Sequence, residues 1–275
     1  MTAGTYSNYA RHYAMLLVWL SDNDLPTQLA GLTPQMLVQC WDDVFQAGYC
    51  YPTPNNMRCA VAMRCRESFM PPPYVTDHPS VKSALEGYRR LAAHRSKKRQ
   101  PIGEARMEQL LRNMKRVCPW VPVELWSLIT ASFLLAYRGF LRISEVKGLR
   151  RRHVVITAQE ITCFIQSSKS DRLGHGVTVH IHDQRVIQLM QHYWLVTAHD
   201  AYLFPLDPTM LNTIIEQTAK AVRWVGYFSF HSFRHGAATD LWRRTHNLPL
   251  LMARGRWRSK GAARYYLHDL DTDDY

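Results

Sequence analysis

Acidic residues are scarce in this chain of 275 residues: 22 Asp and Glu stand against 34 Lys and Arg, a formal net charge of +12. Such an imbalance spreads a positive field over the surface, one that attracts phosphate polyanions or anionic membrane. Long apolar runs are missing as well. The longest uncharged apolar runs, Met15–Leu20 and Leu125–Tyr137, fall far short of the ~20 residues that span a bilayer. No basic-then-apolar start leads into a small-residue cleavage site, so no secretory signal peptide is expected. The cysteines are unpaired in sequence: Cys40, Cys50, Cys59, Cys65, Cys118 and Cys163 form no C-x-x-C and have no partnered histidine spacing. That argues against a zinc site or a disulfide framework and for a reduced, intracellular compartment, with the thiols buried or half-buried. There is neither an internal repeat nor a low-complexity segment. With 47% hydrophobic residues, the length suits one large or two medium domains, each with its own core.

What charge there is lies unevenly. Residues 1–57 hold Arg11 against Asp22, Asp24, Asp42 and Asp43, whereas residues 58–100 hold ten basic and three acidic residues. The basic stripe peaks at Arg95-Ser96-Lys97-Lys98-Arg99 and runs into Pro101 and Gly103, which predicts an interdomain linker over 95–102. Ahead of it, Tyr9, Tyr13, Leu16, Leu17 and Leu20 form a helical stripe over Tyr6–Leu20. Thr33-Pro34 caps a second helix through Val38, Trp41 and Phe45. Asn55–Phe69 reads as a third helix and His78–His94 as a fourth, with Val81, Leu85, Tyr88 and Leu91 on its apolar side. The first domain, 1–94, is therefore expected to be an all-helical bundle with Trp19, Trp41 and Tyr9 in its core.

After the linker the periodicity changes. Glu104–Val117 and Val123–Tyr137 are helical, and Val154–Thr157, Ile161–Gln166 and Val177–Ile181 are short β-branched runs between polar turns, the pattern of a three-stranded antiparallel sheet. Helical stretches follow at Asp183–Thr197, Pro208–Val222, Ser232–Thr245 and Ser259–Asp269. Residues 103–275 thus predict an α+β domain of mostly helices with one small sheet.

Three segments of this second domain place basic residues where an anion could be held. In Tyr137-Arg138-Gly139-Phe140-Leu141-Arg142-Ile143-Ser144-Glu145, Gly139 breaks one helix and the next opens near Ser144. Arg142 at a helix start joins its guanidinium to free backbone N–H groups, and Glu145, three residues on, is placed to hold it. By itself the pair is equally a surface salt bridge. In Phe230-His231-Ser232-Phe233-Arg234-His235, His231 and Arg234 share a helical face and can converge on one oxyanion. His231 and His235 stand four apart, as metal ligands do, but no third ligand accompanies them. In Gly255-Arg256-Trp257-Arg258-Ser259-Lys260, followed by Arg264-Tyr265-Tyr266, aromatic residues interleave with basic ones, as suits a phosphate-facing surface and also an ordinary amphipathic helix.

Taken together, Arg142, His231-x-x-Arg234, Trp257 and a tyrosine nine residues later resemble the constellation of the tyrosine recombinase (phage integrase) family: Arg, Lys, His-x-x-Arg, His or Trp, and Tyr. The resemblance runs from Pro101 to the end. Within the family the pattern is most like that of Cre recombinase, which also has Trp at the penultimate position and a small-residue run after His-x-x-Arg. The resemblance implies a mainly α fold, with an N-terminal helical, SAM-like core-binding domain and an α+β catalytic domain carrying a small three-stranded antiparallel sheet.

Carried over residue by residue, it assigns Arg142 and Arg234 to clamping a scissile phosphate, Trp257 to donating one indole N–H, His231 to taking the proton of the nucleophile, and Glu145 to orienting Arg142. Tyr266 is the implied nucleophile, with Tyr265 its neighbour and rival. Lys169, in the turn Ser167–Gly174, is the implied general acid; Arg172 suits that role less because guanidinium scarcely deprotonates. The substrate implied is double-stranded DNA, cleaved through a 3′-phosphotyrosine without metal or nucleotide cofactor. Arg95, Lys97, Lys98, Arg99, Arg256, Arg258 and Lys260 are expected to contact its backbone. Self-association on DNA as a dimer or tetramer is expected too, although only nine residues, among them Asp269, Asp271, Asp273 and Asp274, follow Tyr266, where many family members have a further helix that docks on a neighbour. The site of action would be intracellular, nuclear in a eukaryote and otherwise cytoplasmic. Two other readings share the fold: a type IB topoisomerase, which generally has lysine where His231 stands, and a DNA-binding protein that has lost catalysis.

Overall fold

The computed structural model describes residues 3–93, 99–166, 175–264 and 266. The chain divides into two compact units, Met1–Lys97 and Lys98–Tyr275.

The first unit contains α1 (Ala3–Asp22), α2 (Pro34–Gln46), α3 (Pro52–Glu67) and α4 (Pro79–Ala93). Thr33 caps α2 by accepting the Met36 N–H at 3.3 Å, and Pro34 occupies the first turn, where its missing N–H is not needed. The same reason lets α3 start at Pro52, ahead of the expected Asn55. Leu16, Leu37, Trp41, Met57, Val61 and Val81 are closed to solvent. Tyr9 and Trp19 are half-buried; the indole N–H of Trp19 donates to Asp43 Oδ2 at 2.8 Å, fastening α1 to α2. Leu91, expected on the apolar side of α4, is exposed. The buried stripe ends one turn earlier, at Tyr88, whose hydroxyl donates to Asp42.

In the second unit α5 (Glu104–Val117) and α6 (Trp126–Arg138) lead to a short α7 (Ile143–Gly148), then β1 (Val154–Ile156), β2 (Ile161–Ile165) and β3 (Val177–Ile181). The strands pair antiparallel in the order β1-β2-β3, with Cys163 between Val154 and Val179. Alternation along β2 buries Ile161, Cys163 and Ile165, as period-two side chains require. Four further helices complete the described part: α8 (Gln184–Val196), α9 (Pro208–Ala221), α10 (His231–Thr245) and α11 (Leu248–Gly255), followed by the single turn α12 (Lys260–Arg264). The core gathers on α6, where Ile129, Ala131, Phe133, Leu135 and Ala136 are all fully buried.

Three expectations change here. Residues 99–102, read as the second half of a free linker, are stitched to the second unit. Gln100 N–H donates to Tyr227 O at 2.8 Å and Ile102 N–H to Ser232 O at 2.9 Å, and Ile102 is fully buried. The small-residue run of α10 makes room for this segment: a Cβ on Gly236 would lie 1.9 Å from the Ile102 carbonyl oxygen. Second, α11 lies in a stretch where no helix was expected, although Asn247 caps it by accepting the Leu250 N–H at 2.9 Å and Pro249 sits in its first turn. Third, the helix expected over Ser259–Asp269 covers only Lys260–Arg264. Tyr266 N–H bonds back to Ala263 O at 3.0 Å, a three-residue step that tightens the turn and ends the α-helical course. Tyr265 and residues 267–275 lie outside the described residues.

Candidate active site

The site forms where the start of α7, the start of α10 and the segment after α11 meet. Arg142 is the N-cap residue of α7, in extended backbone conformation. Glu145, in the first turn, accepts the Arg142 backbone N–H on Oε2 at 2.9 Å and its Nη1–H on Oε1 at 2.6 Å. The same carboxylate accepts Arg256 Nη2–H at 2.6 Å. Glu145 is only 3% exposed, so one buried carboxylate fixes two guanidiniums.

Arg234, one turn into α10, is wholly buried. Its Nη1 and Nη2 donate to the carbonyls of Phe140 and Gly255, and its guanidinium carbon lies 5.0 Å from the Trp257 ring centroid. Nε of Arg234 is buried without a hydrogen-bond partner in the described residues. Burial, followed by the charges of Arg142 and Arg256, brings its pKa down to about 10.

Tyr266 closes the site. Its hydroxyl lies 3.0 Å from Nε2 of His231, the first residue of α10. The Trp257 ring is tilted over the phenol at 4.6 Å between centroids, and the His235 ring meets it edge-on at 5.3 Å. Trp257 comes this close because Gly255 has no side chain: a Cβ there would sit 2.0 Å from the indole. Burial pushes the pKa of His231 down to about 4, helped by the charges of Arg99, Arg234, Arg142 and His235.

Guanidiniums from Arg142, Arg234 and Arg256 thus crowd one buried carboxylate, beside an imidazole kept neutral. A buried excess of positive charge with an unsatisfied N–H donor is unfavourable while empty, and an oxyanion is the ligand that relieves it.

The structure brings together six of the residues singled out by sequence: Arg142, Glu145, His231, Arg234, Trp257 and Tyr266. Lys169, Arg95, Lys97, Lys98 and the rival Tyr265 lie outside the described residues. Arg258 and Lys260 are exposed, and Arg99 is half-buried. Arg256 requires a correction. Expected to face DNA, it points inward: Nη1 donates to Gly139 O at 3.1 Å and Nη2 to Phe140 O at 3.0 Å besides its bond to Glu145. Its backbone is left-handed, with φ +56°, which ends α11 at this residue; its side chain, like that of Trp257, enters the protein, while Arg258 stays exposed. His235 and Gly255 were not foreseen as parts of the site. The four-residue spacing of His231 and His235 was the available signal, and it marks a shared face against Tyr266. Among the described residues no three His, Cys, Asp or Glu side chains cluster as metal ligands, and no helix is long and apolar enough to cross a membrane.

The phage integrase family model matches residues 102–273, and the chain belongs to that family, the tyrosine recombinases. Solved structures share its fold. The XerH site-specific recombinase in a post-cleavage complex with palindromic difH substrate is 15% identical, with a TM-score of 0.64 over 94% of this chain and 75% of that one. The integrase of transposon Tn1549, in complex with transposon right end DNA, is 12% identical with a TM-score of 0.64 over 97% of this chain and 89% of that one. A lambda integrase dimer bound to a COC′ core site is 14% identical, with a TM-score of 0.62 over 97% and 72%. No curated protein matches the chain.

Proposed function

We propose that this tyrosine recombinase cuts and rejoins double-stranded DNA at specific sites, with Tyr266 as the nucleophile. The observation that carries the reading is the 3.0 Å contact between Tyr266 and His231 beside two arginines oriented by buried carbonyls and a buried carboxylate. In the first step the Tyr266 oxygen attacks the scissile phosphorus while His231 takes the phenolic proton. Arg142 and Arg234 donate to the nonbridging oxygens, where charge accumulates in the transition state. Trp257 offers an indole N–H to the same group. The bond to the 5′ oxygen breaks, and Lys169, which falls between β2 and β3 in sequence, is the proposed donor of its proton. The products are a 3′-phosphotyrosine and a free 5′-hydroxyl; a second strand's 5′-hydroxyl reverses the steps and rejoins the DNA. The phosphodiester energy is retained in the covalent link throughout.

Tryptophan at position 257 is the feature behind the likeness to Cre within the family. Arg258, Lys260 and the basic run Arg95, Lys97, Lys98 and Arg99 are assigned to the DNA backbone. The first unit is assigned the role of a core-binding domain, with residues 95–98 as its connection. Recombination needs two duplexes, so self-association on DNA belongs to the proposal, as does a site of action inside the cell. The test is a nicked suicide substrate carrying the cognate site, recovered by selection from random duplexes. Wild type should yield a covalent adduct on a denaturing gel, Tyr266→Phe none, and Tyr265→Phe a normal amount. Loss in Tyr265→Phe alone moves the nucleophile to that residue; no adduct from wild type on a bound site leaves a DNA-binding protein.

A further inference from the structure

Tyr266 follows α12, whose five residues end at Arg264, so no continuing helix sets the direction of its side chain. Packed rings do that instead. The Trp257 ring lies 4.6 Å from the phenol between centroids, tilted by 35°. His235 meets the phenol from α10 at 5.3 Å with the planes at 79°, and His231, one turn earlier, completes the set at 5.9 Å. The three rings have different seats. Trp257 is admitted by the missing side chain of Gly255 and lies against the Arg234 guanidinium. His231 reaches the hydroxyl through Nε2 at 3.0 Å. His235 meets the phenol ring, and the cleavage steps assigned above give it neither a proton nor a phosphate oxygen.

His235 is only 7% exposed, and the helical turn that carries it is anchored. Phe233 is fully buried, and a Cβ on Gly236 would lie 1.9 Å from the Ile102 carbonyl oxygen and 2.6 Å from the Gly103 nitrogen, so this turn packs its backbone directly on residues 102–103. The helix then continues as Gly236-Ala237-Ala238, which offers no side chain long enough to take the place of the imidazole. An edge-to-face ring pair fixes angle as well as distance, whereas a methyl stub would leave the phenol free to change rotamer. We propose that His235 is a positioning residue for the nucleophile: with Trp257 it walls in the Tyr266 phenol and keeps the hydroxyl aimed at Nε2 of His231. This rests on the reading of Tyr266 as the nucleophile and His231 as its base. What counts at position 235 is the ring, and not its nitrogens.

The test is single-turnover adduct formation on the suicide substrate at saturating DNA, set beside DNA binding by fluorescence anisotropy. His235→Ala should bind DNA as wild type does but react roughly 10- to 100-fold more slowly, the scale of loss when a reacting group is misplaced by an ångström. His235→Phe supplies a ring without imidazole nitrogens and should recover most of the rate, whereas His235→Gln, polar but without a ring, should not. The pH profile should keep its wild-type shape in every variant. The second measurement is fluorine NMR of protein containing 3-fluorotyrosine, with the Tyr266 signal assigned through Tyr266→Phe. That signal should move towards the position of a solvent-exposed tyrosine in His235→Ala and His235→Gln and return in His235→Phe. Recovery by Gln and not by Phe, an altered pH profile, or a loss of rate matched by a loss of binding overturns the proposal, as does a wild-type rate with an unmoved signal in His235→Ala. If thermal melting shows that His235→Ala does not fold, the contrast between Phe and Gln decides. A signal that moves as expected while no form of the protein yields adduct upholds the placement of His235 and rejects the nucleophile reading instead.

Discussion

The Tyr266 hydroxyl stands 3.0 Å from Nε2 of His231, and that imidazole has its pKa pushed down to about 4 by burial and by the cations around it. A neutral Nε2 is the form that can receive the phenolic proton. An ordinary histidine, near 6.5, would be largely protonated at pH 5.5; His231 is not. Single-turnover cleavage should therefore persist into mildly acidic solution, where an unperturbed base would already fail. Stability carries the opposite sign. The unfolded chain binds a proton at this position below about pH 6.5 and the folded chain does not, so stability falls as pH drops from 6.5 towards 4. The full effect is on the order of 3 kcal/mol, reduced by solvent at the half-buried ring. His231→Asn should flatten this part of the stability profile in urea unfolding at pH 7 and pH 5, while lowering cleavage roughly 10²–10⁴-fold. Equal acid sensitivity in variant and wild type would remove His231 as the source.

Glu145 holds Arg142 and Arg256 at 2.6 Å each and is almost closed to solvent. Removing one partner of a buried ion pair strands the others, a change worth about 3–5 kcal/mol. Glu145→Gln keeps the shape and one acceptor oxygen, so it should destabilise less than Glu145→Ala. Both should slow adduct formation more than they weaken DNA binding, because the guanidinium of Arg142 loses its orientation. Chemical unfolding and single-turnover cleavage at saturating DNA check the two effects separately. Unchanged cleavage in a folded Glu145→Gln would show that Arg142 is held well enough by other means.

Much of this site was legible in the sequence because its members carry chemistry that their local patterns expose. Arg142 with Glu145 three residues on is a helix-start pair, and His231 with Arg234 shares one helical face. Arg256 was misread for a physical reason. Its neighbours Arg258 and Lys260 are exposed, so a basic run looked like a single surface, but a left-handed residue at 256 ends α11 there, and no periodicity reports that. The same limit applies to α12. A helical stripe extended on paper through Tyr266, yet the backbone bond from Tyr266 to Ala263 ends the α-helical course. The order of elements in the second unit followed from periodicity, whereas α11 was missed because its eight residues are too few to show a stripe. The packing of residues 99–102 onto α10 depends on long-range approach through Gly226 and Gly236, which the local signals read as a linker, the basic run with Pro101 and Gly103, do not report.

Gly255 is a steric requirement of the stacked pair Trp257 and Tyr266. An added methyl would lie within 2.0–2.4 Å of three indole carbons, closer than any relaxed contact. Gly255→Ala should push the indole off the phenol and weaken both the cation–π approach to Arg234 and the seat of the nucleophile. Overpacking of this kind typically costs about 1–3 kcal/mol. Adduct formation should fall by more than that loss of stability accounts for at a temperature where the variant is folded, and Trp257 fluorescence should change. A variant with wild-type cleavage would mean that the ring shifts without disturbing Tyr266.

Arg256 and Arg258 are two residues apart and should respond in different ways. Arg258 is exposed and is assigned to a phosphate of the DNA backbone. Arg258→Ala should weaken binding about equally across sequences and reduce the slope of log K against log salt by about 1. Stability should stay within about 0.5 kcal/mol of wild type, as surface substitutions usually do. Arg256 instead joins Glu145 to the carbonyls of Gly139 and Phe140, the second of which also receives Arg234. Arg256→Ala leaves those acceptors and the carboxylate underused in the interior, so it should lower stability and cleavage while the salt slope of binding stays as in wild type. Measuring the slope by fluorescence anisotropy between 50 and about 200 mM salt decides the matter. A slope that falls by one in Arg256→Ala, with stability intact, would return this residue to the DNA-facing surface and leave Glu145 with Arg142 as its sole functional partner.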